Sequence, residues 1–302
     1  MTLLINRKEW PLLLAMVIFC CVEILPSLIL AAEPFRITVT VSIPPQKYFV
    51  DKIGGERIKV MVMAPPGAFP GTYEPRPRQM VALSHSRIFF AIGVPYEKAW
   101  LKRISAANKD MLIVHTDQGI EKRRMKGRHH NEPEKEKDST QGRDPHIWLS
   151  PPLVKKQART ILESLVKIDP EGKKLYQEKY RIFALELDQL DEEIKEKFQG
   201  IKGGRFLVFH PSWGYFAQEY HLKQVPVEIE GKRPGPKDLK GLIDTARKER
   251  INAVFVQPQV SPKTAQMIAR AINGRVAVID PLEENWADNL RKIADIIKNA
   301  LK

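Results

Sequence analysis

Cysteine is nearly absent from this chain. Its 302 residues include two, Cys20 and Cys21, both within the first 32. Beyond them no thiol remains, so disulfides are excluded from the body of the protein, and any soft metal there must be held by imidazole and carboxylate. An uninterrupted apolar run of membrane-spanning length is missing too. The stretch from Trp10 to about Leu30 is broken by Glu23 and Pro26. With Arg7 and Lys8 ahead of it and Ala31-Ala32 behind, it reads as a signal peptide over residues 1–32, cleaved before Glu33, and this places the mature chain outside the cytoplasm, in the periplasm. Phe19 stands before the cysteines where lipid attachment calls for a small residue, so lipidation is not expected. Basic residues interleaved with aromatics are lacking as well. The net charge of +13 therefore reads as a solvated basic surface and no nucleic-acid partner is expected.

What the chain does have is alternation. Strand-type segments at 36–42, 58–63, 88–92 and 111–114 are separated by helical stretches of about ten residues. The pattern repeats after residue 204, with strands at 205–209, 224–227, 253–256 and 276–279. This predicts an α/β fold of two lobes, each a mainly parallel sheet flanked by helices. Between them, Tyr176, Tyr180, Phe183, Leu187, Leu190, Ile194 and Phe198 recur at steps of three and four. They mark one long amphipathic helix from Pro170 to Phe198, a spine joining the lobes. The expected divisions are an N-terminal lobe over 33–168, the spine over 169–199 and a C-terminal lobe over 200–302. Residues 121–143 are almost wholly polar and read as a charged loop carrying His129 and His130.

Candidate ligands sit at the ends of these segments. His146 lies in Asp144-Pro145-His146-Ile147-Trp148-Leu149. His210 follows the apolar strand 206–209, and Asp280 follows 276–279. Polar residues at the carboxyl ends of buried strands are where open α/β sheets build their sites. Compact metal motifs are missing, since gaps of 64 and 70 residues separate the three. They can meet only through tertiary structure. Two imidazoles and a carboxylate suit Zn²⁺ and tolerate Mn²⁺ or Fe²⁺. Neutral imidazole is required, so binding is expected to fail below about pH 6. His85, His115 and His221 read as structural or exposed, and Trp148, Trp213 and Tyr215 as core or cleft wall.

Four stretches resemble the extracytoplasmic solute-binding proteins of zinc and manganese ABC transporters: Pro66-Gly67-Ala68-Phe69-Pro70-Gly71-Thr72-Tyr73-Glu74-Pro75, the 144–149 segment, Phe209-His210-Pro211-Ser212-Trp213-Gly214-Tyr215-Phe216, and Ile279-Asp280-Pro281-Leu282. The likeness covers nearly all of 36–302. It implies two α/β lobes joined by a long helix, a divalent metal as cargo, zinc before manganese or iron, and delivery to an inner-membrane permease by a monomeric, non-enzymatic protein. It also implies that His146, His210 and Asp280 are ligands. The first ligand of the family is a histidine in the loop after the second strand, and this chain has Gly71 there. Water, Glu74, His129 or His130 is left to complete the site. Two other functions compete: a zinc hydrolase using the open coordination position with Glu74 as base, and a drifted metal-binding or chaperone protein.

Overall fold

The computed structural model describes residues 36–125, 142–228, 232, 234–259 and 261–301, and the fold below is that of these residues. Residues 36–302 group as one compact unit. The first sheet contains β1 (Ile37–Val41), β2 (Ile58–Val62), β3 (Ile88–Ala91) and β4 (Leu112–His115), in the order β2-β1-β3-β4. All its pairings are parallel. The second contains β5 (Arg205–Val208), β6 (Lys223–Pro226), β7 (Ala253–Val256) and β8 (Arg275–Val278), ordered β6-β5-β7-β8, again parallel throughout. Each sheet therefore reverses its winding between its first and third strands, and a crevice opens at that point at the carboxyl edge.

The helices start where proline allows. Pro44 opens α1 (Pro44–Gly54), Pro77 opens α2 (Pro77–Ala82), Pro95 opens α3 (Pro95–Ala107) and Pro151 opens α4 (Pro151–Ile168). Proline has no N–H to leave unpaired in a first turn and its φ is already helical. The expected spine begins one turn late. Pro170–Gly172 forms a 3₁₀ turn, and α5 runs from Lys173 to Lys197, about 37 Å over 25 residues. The delay comes from Asp169, whose carboxylate takes a bidentate bond from Arg57 (2.8 and 2.9 Å) and the hydroxyl of buried Tyr176 (2.6 Å), pinning the corner. The second lobe adds α6 (Gly214–Glu219), α7 (Pro236–Lys248), α8 (Lys263–Ala271) and α9 (Trp286–Ala300).

One hydrophobic cluster runs through both lobes. It joins Val39, Phe49 and Phe90 of the first to Phe183, Leu187 and Ile194 of α5, and these to Phe216, Trp286 and Ile293 of the second. The far face of the second sheet has its own smaller core around Leu207, Val254 and Ile268. Two indoles cross between the lobes. Trp148 Nε1 donates to Pro281 O and Trp286 Nε1 donates to Trp148 O, each at 2.7 Å. Lys47 pairs with Glu284 at 2.6 Å beside them. The two lobes are thus tied by two buried indole-to-carbonyl hydrogen bonds, with a half-exposed ion pair beside them.

Candidate metal centre

The carboxyl edge of the second sheet carries a polar residue two positions beyond each of three strand ends: His210 after β5, Glu228 after β6 and Asp280 after β8. Beyond β7, Gln257 and Gln259 occupy the same edge. Strand alternation explains the offset, since the residue between stays in the core, as Phe209, Val227 and Ile279 do. The first lobe contributes His146, from the turn before α4, and the 64–76 loop after β2.

His146 and His210 come together from different lobes, their ring centroids 5.3 Å apart and their planes at 70°. Each is braced by a carboxylate. His146 Nδ1 is 2.7 Å from Asp144 Oδ1, which also accepts the His146 backbone N–H at 3.0 Å. His210 Nδ1 is 2.7 Å from Glu228 Oε2. A carboxylate on Nδ1 fixes the proton there and leaves the Nε2 lone pair for a ligand. Asp144 is itself held from below, where Gly214 lies so close that a Cβ would stand 2.8 Å from its Oδ2 and 2.5 Å from Arg123 Nη1. The Tyr215 hydroxyl donates to Asp144 O at 2.9 Å.

Asp280 accepts the Leu282 N–H (2.9 Å) and Gln259 Nε2 (3.3 Å), both on Oδ1. Burial pushes its pKa up. It is tied to the histidines through its neighbour, since Pro281 receives Trp148, whose ring lies 5.1 Å from that of His146. Among the described residues, no three histidine, aspartate, glutamate or cysteine side chains stand close enough as placed to hold a metal ion. The two imidazoles are paired, and the Asp280 carboxylate lies on the same sheet edge as His210.

The other expected residues fall elsewhere. Glu74 is exposed, and His85, His115 and His221 are exposed at element ends, His221 in a left-handed turn. Trp148, Trp213 and Tyr215 are buried. His129 and His130 lie outside the described residues. Their loop springs from a paired base, in which Arg124 bridges Arg143 and Asp144 N donates to Arg123 O at 2.9 Å. Sequence reasoning missed Glu228, although Val225-Pro226-Val227-Glu228 repeats the strand-then-polar signal that marked His210. It also missed Phe69, whose ring meets His210 edge-on at 5.4 Å.

Burial lowers the His146 pKa, outweighing the opposing pull of Asp144. Between the folded pKa and the unfolded value near 6.5 the unfolded chain binds the extra proton, so stability rises with pH. The metal-free protein is therefore expected to lose melting temperature as pH falls from about 6.5. His146→Gln should remove that component, as a melting series from pH 7.5 to 5 would show.

These features have relatives. The family model described as "Zinc-uptake complex component A periplasmic", ZnuA, matches residues 39–300. The chain belongs to the ZnuA family. A solved structure of a ZnuA deletion mutant with zinc bound superimposes with a TM-score of 0.81 at 42% identity, over 88% of this chain and 98% of that one. The high-affinity zinc uptake system protein ZnuA of Bacillus subtilis is 25% identical over 286 residues, 88% of each chain. The manganese ABC transporter substrate-binding lipoprotein PsaA of Streptococcus anginosus is 27% identical over 233 residues, 73% of this chain and 72% of its own. The expected two-lobe α/β fold is thus shared with that solved ZnuA structure. Among the described residues no helix is long and apolar enough to cross a membrane.

Proposed function

We propose that this ZnuA-family chain captures a divalent metal ion, zinc before manganese or iron, between His146, His210 and Asp280, and delivers it to the permease of an ABC transporter. The observation that carries the reading is the pair of carboxylate-braced imidazoles, one from each lobe, facing each other at 5.3 Å. Two neutral imidazoles with one carboxylate form a borderline donor set that suits zinc better than manganese. A turn of the Asp280 side chain completes the protein donors, and water takes the fourth position. The chain works outside the cytoplasm, exported by residues 1–32. Binding rather than catalysis is supported by the carboxylates' places: Glu74 is exposed, and Glu228 is engaged with His210.

Zinc titration of residues 33–302 by calorimetry at neutral pH tests this. One zinc per chain is expected. A variant lacking 126–141, which keeps the Arg124–Arg143 base intact, should bind equally tightly, because the described ligands lie outside that segment. Absence of tight binding in the intact chain would sink the reading. Binding that collapsed only in the deletion would assign His129 or His130 as a ligand instead of water.

A further inference from the structure

We propose that Phe69 sets the coordination number of the bound metal, by filling with an apolar ring the place beside the imidazole pair from which a further donor would reach it. The proposal rests on His146, His210 and Asp280 being the cargo's ligands. Two independent contacts place the ring. It stands edge-on against His210, centroid to centroid 5.4 Å, so it forms a wall of the space in front of that imidazole. It also lies against the backbone of Gly71, where a Cβ would come within 2.4 Å of Phe69 Cε1 and 2.9 Å of Cζ. Gly71 does not have the left-handed backbone that would explain a glycine by its φ. The room that a side chain at position 71 would need is taken by the ring. Phe69 and Gly71 act as one unit: the residue without a side chain leaves room, and the ring takes it.

The consequence is chemical. An apolar ring offers no lone pair, and it covers one approach to the imidazoles. The shell around a metal controls how much solvent reaches it. A metal held here has three protein donors and space for one small ligand. Without the ring, additional water enters, the metal expands to five or six ligands, and it exchanges faster. Four-coordinate geometry favours zinc and disfavours metals that prefer six oxygen donors. Phe69 thus contributes to selectivity without touching the metal.

Co²⁺ serves as the probe, bound to the full mature chain, with wild type compared to Phe69→Ala, Gly71→Ala and His210→Ala. Gly71→Ala keeps the phenylalanine but displaces its ring, so it reaches the same state by another route. The readouts are the visible cobalt spectrum and the rate at which excess chelator removes the metal. Circular dichroism and melting confirm folding in each variant, and Phe69 is only partly buried, so its truncation leaves the core intact. The expected result is intense four-coordinate bands in wild type, and weaker bands of higher coordination in both Phe69→Ala and Gly71→Ala. Metal loss should be about tenfold faster or more in both, and His210→Ala, which lacks a donor, should differ from wild type in its bands and lose cobalt to chelator fastest of all. Identical spectra and rates in wild type, Phe69→Ala and Gly71→Ala would overturn the role of Phe69 while leaving the ligands standing. Higher-coordinate bands already present in wild type would also overturn it. A wild type without cobalt bands, or a His210→Ala variant whose bands and rate of metal loss match wild type, would overturn the ligand assignment and this proposal with it.

Discussion

His210→Ala is expected to weaken zinc binding by roughly 100- to 1000-fold. Zinc held by protein donors is worth about 10–16 kcal/mol in small folded sites. Divided among three or four donors this is about 2.5–5 kcal/mol each; every ~1.4 kcal/mol is a factor of ten, so the expected loss lies in the middle of that range. The loss should appear in competition titration against a chelator of known affinity, at a temperature where the variant is folded. The His210 side chain is largely buried and pairs with Glu228, so the melting temperature of the metal-free protein should fall as well. Glu228→Gln should do less, roughly 10- to 100-fold, because it loosens the imidazole's orientation and tautomer without removing the donor. If His210→Ala bound zinc as tightly as wild type, the pairing of His146 and His210 would have no part in cargo capture.

That ordering also explains what could be read in advance. The positions of His210 and Asp280 were legible because a buried parallel strand is a short apolar run, and a polar residue just past it must lie on the sheet's carboxyl edge. The two-lobe architecture was legible for the same reason: eight such runs in two groups, separated by a helix with one continuous apolar stripe. Glu228 carried the same signal and was passed over, because its strand is the weakest in pattern, Lys-Gln-Val-Pro, an edge strand that tolerates proline. The braces Asp144 and Glu228 are visible only once chain segments are brought together, since their value depends on a 2.7 Å contact. Phe69 was harder still. An aromatic in a Pro-Gly-rich loop has no periodicity to report its face, and its meaning lies in a contact across the lobes with a residue 141 positions away. The late start of α5 likewise follows from the Asp169–Arg57 pair, whose partners are 112 residues apart.

Trp148→Ala is expected to have the largest effect on stability, and to reach the site as well. The indole is among the largest fully buried side chains, and truncating such a residue typically costs about 3–5 kcal/mol through lost burial and the cavity left behind. Here a second loss adds to it. Pro281 O loses the indole N–H that now satisfies it, and an unpaired buried carbonyl costs about 1–3 kcal/mol more, offset where water enters. Because Pro281 follows Asp280, and Trp148 packs on His146 at 5.1 Å, the same deletion frees the two ligand-bearing segments from each other. Denaturant unfolding should show a midpoint shift of several kcal/mol in stability, and zinc titration should show weakened affinity at temperatures where the variant is still folded. Trp148→Phe separates the two contributions. It fills most of the volume but cannot donate, so it should recover most of the stability and little of the affinity if the Trp148–Pro281 bond is what places Asp280. Full affinity in Trp148→Phe would mean that packing alone, through the cluster shared by both lobes, holds the ligands in register.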